Sequence, residues 1–414
     1  MAASPLPPLP SRFTISAPGK TILLGEHAVV YGHQAVAASI GLRTTAQFTR
    51  PAAVAAPDGV TAPLVVATMG LEWVIDGARL LDPTCRWEAV WDASQCHASL
   101  LASAAATVVT TEQARRAFHA FCTIARLAAA QAVTPPAEAA ARLPAGGFSL
   151  EYASALPVGA GLGSSAAFNV VTAAVWSRVF GLLSDGEPHH TADSPGARRT
   201  WHAADLARIN AIALEGERVM HGTPSGLDNT LSTYGGICLY TPQNMRRLPP
   251  LTGHAFTLVD TGVPKDTQHQ LTLVRERLDR WPGVYQPLLE SIHALGLAFE
   301  QVFVDDADGK TDPVAFLREA ITTNHLLLQA LGVSHPSLDA LVDLARARGL
   351  AAKMTGAGGG GCALIYHAAP PGLSPEEGAA HVAELHAVIR ASHPGMTIQQ
   401  AVVGDIGVCL HDSL

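Results

Sequence analysis

The chain has 414 residues, 48% of them hydrophobic and 15% charged, a balance that supports a sizeable core and excludes wholesale disorder. A formal net charge of −8 argues against a general nucleic-acid binder, so any anionic ligand has to be held by local cations, backbone N–H groups or a metal. The six cysteines (Cys85, Cys96, Cys122, Cys238, Cys362 and Cys409) form no C-x-x-C pair, and they read as reduced thiols of a cytoplasmic protein rather than a disulfide frame or zinc site.

The opening "MAASPLPPLPSR" carries no signal pattern, and no run approaches the ~18 apolar residues of a membrane span. Residues 13–48 are extended and apolar; Gly25, Gly32 and Gly41 divide them into short strands such as "FTISAPGK", "TILLGE" and "AVAASI". Helical spacing follows over residues 93–130, then a Pro/Ala linker and the strand "FSLEYAS". In "LPVGAGLGSSAAFNV" glycines stand at alternate positions before two serines and an apolar, helix-tolerant run, which predicts a helix starting near Ser164. Residues 184–199 are polar and turn-rich and read as a surface loop. A helix over residues 202–220 runs into "HGTPSGLDN", and "GGICLY" reads as a strand. Beyond residue 244 the strand "AFTLVD" precedes long helices near 267–303, 313–330 and 337–348. The strand–glycine loop–strand "AAKMTGAGGGGCALIYHA" comes next. The change of character places a domain boundary near 240, giving units 1–240 and 241–414.

Two nucleotide-binding templates fail on context. "APGKT" ends like a Walker A loop, but Thr14 stands where that template needs glycine. "GAGGGG" at 356–361 satisfies G-x-G-x-x-G yet leads into the β-like "CALIY", whereas a dinucleotide site opens a helix. What survives is the loop at 159–165. Glycines ahead of a helix N-terminus let exposed N–H groups and the helix dipole meet an anion, most simply phosphate. A tight turn with Ser164 as a cap is the plainer alternative.

The ordered set "APGKTILLGEHAVVYG", "LPVGAGLGSSAAFN" and "KMTGAGGGGCALIY" resembles the three motifs of the GHMP kinase family. "EGERVMHGTPSGLDN", "LVDTGVPKDT" and "ALGVSHPSLDAL" resemble the branch that acts on mevalonate. The resemblance implies an α+β, two-domain fold with an N-terminal β/α domain, a C-terminal α+β domain and the active site in the cleft between them. It further implies transfer of the γ-phosphoryl of ATP, with Mg²⁺, to the primary hydroxyl of mevalonate on the route to isoprenoids, by a cytoplasmic homodimer. Asp228 would orient or accept the proton of that hydroxyl, with Lys20 beside it; Ser165 and Glu217 would hold the metal. Ser154, Gly159, Ala160, Gly161, Leu162, Gly163, Ser164 and Ser165 would bind the nucleotide. Lys20, Glu26, His27, Thr267, Gly356 and Ala357 would contact the acceptor, with Lys265 facing the same cleft.

Taken singly these residues have blander readings. Ser165 is then a cap, Glu217 a helix-surface carboxylate, Asp228 a turn aspartate, His27 a structural hydrogen bonder and Lys20 a surface charge. Thr68 stands where the family often has an asparagine near the base. A sugar substrate is disfavoured by "GEHAVVY", and a phosphorylated acceptor would call for more cations than the first motif offers. The rivals are another GHMP kinase, acting on phosphomevalonate or a sugar, and an inactive nucleotide-binding sensor. Retention of Lys20, Ser165, Glu217 and Asp228 argues against the sensor.

Overall fold

The computed structural model describes residues 9–50, 63–68, 71–93, 95–97, 111–132, 143–144, 146–189, 198–248, 251, 254–305, 310–368 and 372–411. Their strands form two sheets. The larger has eleven strands, with Arg12–Leu24 between Ala35–Thr49 and Cys409–His411 at its centre. The smaller has four, in the order Ala351–Met354, Cys362–Tyr366, Ala255–Asp260, Thr397–Val402, all antiparallel. Mixed sheets packed with helices give the expected α+β architecture.

Residues 12–24 are one strand, not the short pieces that the glycine spacing predicts. Pro18 and Gly19 lie inside it, at a register shift against Ala35–Thr49. The bulge tolerates a proline without a ladder N–H. A Cβ on Gly19 would land on the Leu156 side chain and 2.6 Å from the Leu162 carbonyl oxygen. Gly19 therefore lets the glycine loop lie directly on the strand, and the next residue, Lys20, donates its N–H to Leu162 O at 2.8 Å.

The Ser164–Val179 helix is the pillar of the N-terminal half. It is rich in Ala and Val, carries Phe168 and Trp176, and is buried on every side, as expected of a helix apolar all round. It packs on the long central strands and against the helices Thr111–Ala132 and Ala203–His221. Its N-terminus is thus held by a full shell of neighbours.

The boundary near 240 divides a hairpin, because Ile237–Thr241 pairs with Asn244–Leu248 and both belong to the larger sheet. The strand Cys409–His411 also returns to that sheet, pairing with Arg12–Leu24. The N-terminal unit is consequently built from both ends of the chain, and Arg43 clasps the return through Asp405, Ile406 O and Gly407 O. Composition changes at 240, but pairing does not stop there.

Other differences are local. The helix expected over 93–130 is Thr111–Ala132, with a short strand Gln95–His97 ahead of it; residues 94 and 98–110 lie outside the described set. The region 267–303 is two helices, Thr267–Arg280 and Pro282–Glu300, parted where Pro282 takes the first helical turn, followed by a π turn Gln301–Asp305. The ends of the polar segment 184–199 form a strand pair, Glu187–His189 with Arg198–Thr200; residues 190–197, like most of the Pro/Ala linker, are outside the described set. Cys122, Cys238, Cys362 and Cys409 are buried and unpaired and Cys85 is partly buried and free. Among the described residues no helix is long and apolar enough to cross a membrane.

Candidate active site

A cleft of about 650 Å³ lies between the two halves. One wall is the loop Gly159–Gly163. Its three glycines have φ of 78°, 75° and 73°, a left-handed conformation that costs glycine little. Between them Ala160 and Leu162 are buried in the core beneath. The alternation in "GAGLG" therefore has a double purpose. Apolar side chains root every second residue, and the bare residues between leave backbone N–H groups open, as in an anion-binding nest. The helix that follows begins at Ser164 with Gly163 as its cap and no side-chain capping bond, so its first N–H groups are free of any side-chain cap. Gly163→Ala would put a Cβ 3.1 Å from Lys20 Cγ at a φ that costs a side chain ~1–3 kcal/mol. We expect a KM for nucleotide at least tenfold higher, with the acceptor KM little changed. Equal loss of both in steady-state assays would reduce these glycines to turn formers.

The reactive groups meet at the end of that loop. Lys20 Nζ is 3.2 Å from Asp228 Oδ1, and the lysine side chain is only 12% exposed. Asp228 stands in the first turn of Leu227–Tyr234, whose cap Gly226 has a φ of 79°. Glu217 projects from Ala203–His221 and is buried. Burial and then repulsion from Asp228 push its carboxyl up to about 7, against hydrogen bonds from Asn169 and Ser165 that favour the charge. Asn169 Nδ2 donates to Glu217 Oε1 at 2.7 Å. A Cβ on Gly216 would come within 2.8 Å of the Asn169 amide, which explains a glycine inside this helix. His221 Nε2 lies 3.0 Å from Ser165 Oγ.

The opposite wall carries Lys265, Thr267, Gly356 and Ala357. A Cβ on Gly161 would strike Lys265 Nζ, and one on Gly356 would lie 2.9 Å from it, so this ammonium bridges the two glycine loops. Burial and the nearby Lys20 bring Lys265 down to about 8. Of the third glycine run, Gly356 borders the cleft. Gly358 and Gly360 instead face backbone, close to Val333 O and Val263 O. Those positions serve packing.

His27 lines the cleft with a φ of 61° and bonds Ala357 O through Nε2 at 2.8 Å. Its Nδ1 is buried without a partner, and burial lowers the ring's pKa. Two expected contacts are placed differently. The Glu26 carboxylate is turned into a buried ion pair with Lys353 and accepts from Asn324 Nδ2, so it is not free for the acceptor. The Ser154 hydroxyl bonds Thr44 Oγ1 at 2.9 Å and accepts from Leu156 N at 3.1 Å, so it shapes the turn into the loop and does not border the cleft. Thr68 is buried at the end of Pro63–Thr68; residues 69–70 are outside the described set. Asn169, Lys353 and Asn324 were not anticipated from sequence. Their signal was present as single polar residues in the apolar runs "AAFNVV", "AAKM" and "AITTNHLLL".

A glycine nest on a helix N-terminus, facing a Lys–Asp pair, the Glu217 carboxylate and the Ser165 hydroxyl, is an arrangement suited to phosphoryl transfer. Residues 122–236 match the GHMP kinases N terminal domain and residues 314–370 the GHMP kinases C terminal model. The chain belongs to the GHMP kinase family. Within it, the mevalonate kinase of Homo sapiens is 36% identical over 371 residues, covering 88% of this chain and 87% of that protein. The fold is also that of the Methanococcus jannaschii mevalonate kinase (TM-score 0.64, 21% identity, 96% of this chain and 100% of that one). The L. major mevalonate kinase in complex with R-mevalonate gives a TM-score of 0.63 at 20% identity, over 97% of this chain and 100% of that one.

Proposed function

We infer that this kinase transfers the γ-phosphoryl group of ATP to the primary hydroxyl of mevalonate, yielding 5-phosphomevalonate and ADP. The observation that carries the reading is the Lys20–Asp228 pair at the closed end of the phosphate nest. Asp228 takes or orients the hydroxyl proton as the acceptor oxygen attacks phosphorus. Lys20 holds that carboxylate in place through their ion pair and stabilises charge on the moving phosphoryl group. The glycine loop and the Ser164 helix start hold the phosphates. The same reading carries the expectation of a cytoplasmic homodimer.

The donor set at Ser165 and Glu217 fits Mg²⁺. Both offer hard oxygen, and the Ser165 hydroxyl lies against the Glu217 carboxylate. Among the described residues no group of three or more His, Cys, Asp or Glu forms a cage. That suits an ion that keeps several waters and takes phosphate oxygens as ligands. Bound there, Mg²⁺ would supply charge neutralisation on the transferring phosphates.

Mevalonate also needs a cation for its carboxylate. Of the cations bordering the cleft, Lys20 is paired with Asp228 and Arg116 with Glu112 at 2.9 Å. Lys265, two residues from Thr267, is left for the carboxylate. With the ammonium down at about 8, its charge is present below that pH and lost above it. The KM for mevalonate should therefore rise roughly tenfold per pH unit above 8, as expected when binding needs the protonated amine. Lys265→Arg should move the rise to higher pH, because a guanidinium stays charged. A pH-independent KM up to pH 9.5 would remove Lys265 from this role. The overall reading is tested by mevalonate-dependent ADP release with identification of the phosphorylated product; ADP release unaffected by mevalonate would overturn it.

A further inference from the structure

The floor of the cleft is closed by an ion pair that the chemistry above does not use. Glu26 and Lys353 are bonded to each other, and both side chains are fully buried. Asn324 Nδ2 donates to the second Glu26 oxygen at 2.8 Å, and Lys353 Nζ also donates to Ile22 O at 3.3 Å. Two residues on, Thr355 Oγ1 donates to the same carbonyl at 3.2 Å and lies 2.9 Å from Thr21 Oγ1. Ala357 O then meets His27. These contacts sew residues 21–27, which follow Lys20, to residues 353–357, at and just beyond the end of the strand Ala351–Met354.

A buried ion pair is a weak source of stability, because desolvation offsets much of the attraction. What this one adjoins is more informative. His27, the next residue after Glu26, is the sole described non-glycine residue with positive φ. Such a conformation persists only where the surroundings over-determine it. Its ring borders the cleft, Nε2 is committed to Ala357 O, and Nδ1 is buried and unpartnered. With Nε2–H donating to that carbonyl, Nδ1 is a bare acceptor.

We propose that Lys353, through Glu26 and Asn324, is a positioning residue that holds His27 so that Nδ1 accepts a hydrogen bond from the tertiary hydroxyl of the acceptor. This rests on the reading of mevalonate as acceptor. Lys353 makes no contact with substrate itself; it sets specificity by fixing one imidazole across the seam between the two sheets.

The test is a cycle between the seam and His27. In Glu26→Leu/Asn324→Leu/Lys353→Met all three polar groups become apolar side chains of similar length, an exchange that buried pairs often tolerate. The KM for mevalonate should rise at least tenfold while the KM for ATP stays within twofold. His27→Ala should do the same, and adding the triple change to it should give no further rise, since the seam acts through that ring. A wild-type acceptor KM in the folded triple variant, or effects that multiply, would overturn the proposal. Should the triple variant fail to fold, Asn324→Ala, which keeps the ion pair, enters the same cycle with the same two criteria. The wild type is assayed first against several acceptors. If it rejects mevalonate, the preceding reading fails, and the cycle is run with the acceptor it uses.

Discussion

Asp228→Asn is expected to lower kcat by about 10²–10⁴ while leaving nucleotide affinity within a few-fold, the range for loss of a general base. The substitution keeps the shape of the side chain and removes its ability to take a proton. The surroundings leave no substitute. Glu217, a neighbouring carboxylate of the cleft, accepts from Asn169 Nδ2 and is taken by the metal in this reading. Lys20, 3.2 Å away, is a cation with nothing to accept. Nucleotide binding should survive because the nest is backbone and its roots, Ala160 and Leu162, lie in a different cluster of side chains. Near-normal turnover in a folded Asp228→Asn protein, by steady-state kinetics with nucleotide affinity measured separately, would move the proton acceptor elsewhere.

The largest effect on stability is expected at Lys353. Lys353→Met alone leaves the Glu26 carboxylate fully buried with its cation gone, and breaking one side of such a pair typically costs ~3–5 kcal/mol. Denaturant unfolding should show this as a marked fall in midpoint. The contrast is the exposed pair Arg116–Glu112, 56% and 67% exposed, where loss of either partner should cost under ~1 kcal/mol. Adding Glu26→Leu and Asn324→Leu to Lys353→Met should restore much of the loss. A single Lys353→Met protein as stable as the wild type would mean that Glu26 reaches water at no cost and that the seam is not rigid.

Legibility in the sequence follows the range of the interactions. The glycine nest and the helix at Ser164 could be read because positive-φ glycines, buried residues between them and the helix start are all within a few positions. The Lys20–Asp228 pairing came from motif resemblance; nothing local to either residue predicts it. The fate of Glu26 was not legible, since its partners lie 298 and 327 residues away and each looks like an ordinary polar residue in its own element. The surroundings of Ser154 are not legible for a related reason. Its motif position is right beside the loop, but strand pairing sets its hydroxyl against Thr44. The same long-range pairing hid the fold of the N-terminal half, where Cys409–His411 completes a sheet begun at Arg12. Glycines gave mixed guidance. Those at 159–163 border the cleft, whereas Gly358 and Gly360 look alike in sequence and turn to Val333 and Val263.

Whether this cleft is shaped for mevalonate can be measured in a single panel. kcat/KM is determined by coupled ADP release for mevalonate, phosphomevalonate, galactose and homoserine under identical Mg²⁺ and ATP. A site whose buried polar groups are satisfied by one substrate rejects analogues that leave them unpaired by ~10⁴ or more. Here those groups are His27 Nδ1 and the Lys265 ammonium. Efficient turnover of mevalonate is expected, with values lower by about that factor for galactose and homoserine. A higher kcat/KM for phosphomevalonate or for the sugar would leave the kinase family standing and contradict the assignment of the acceptor.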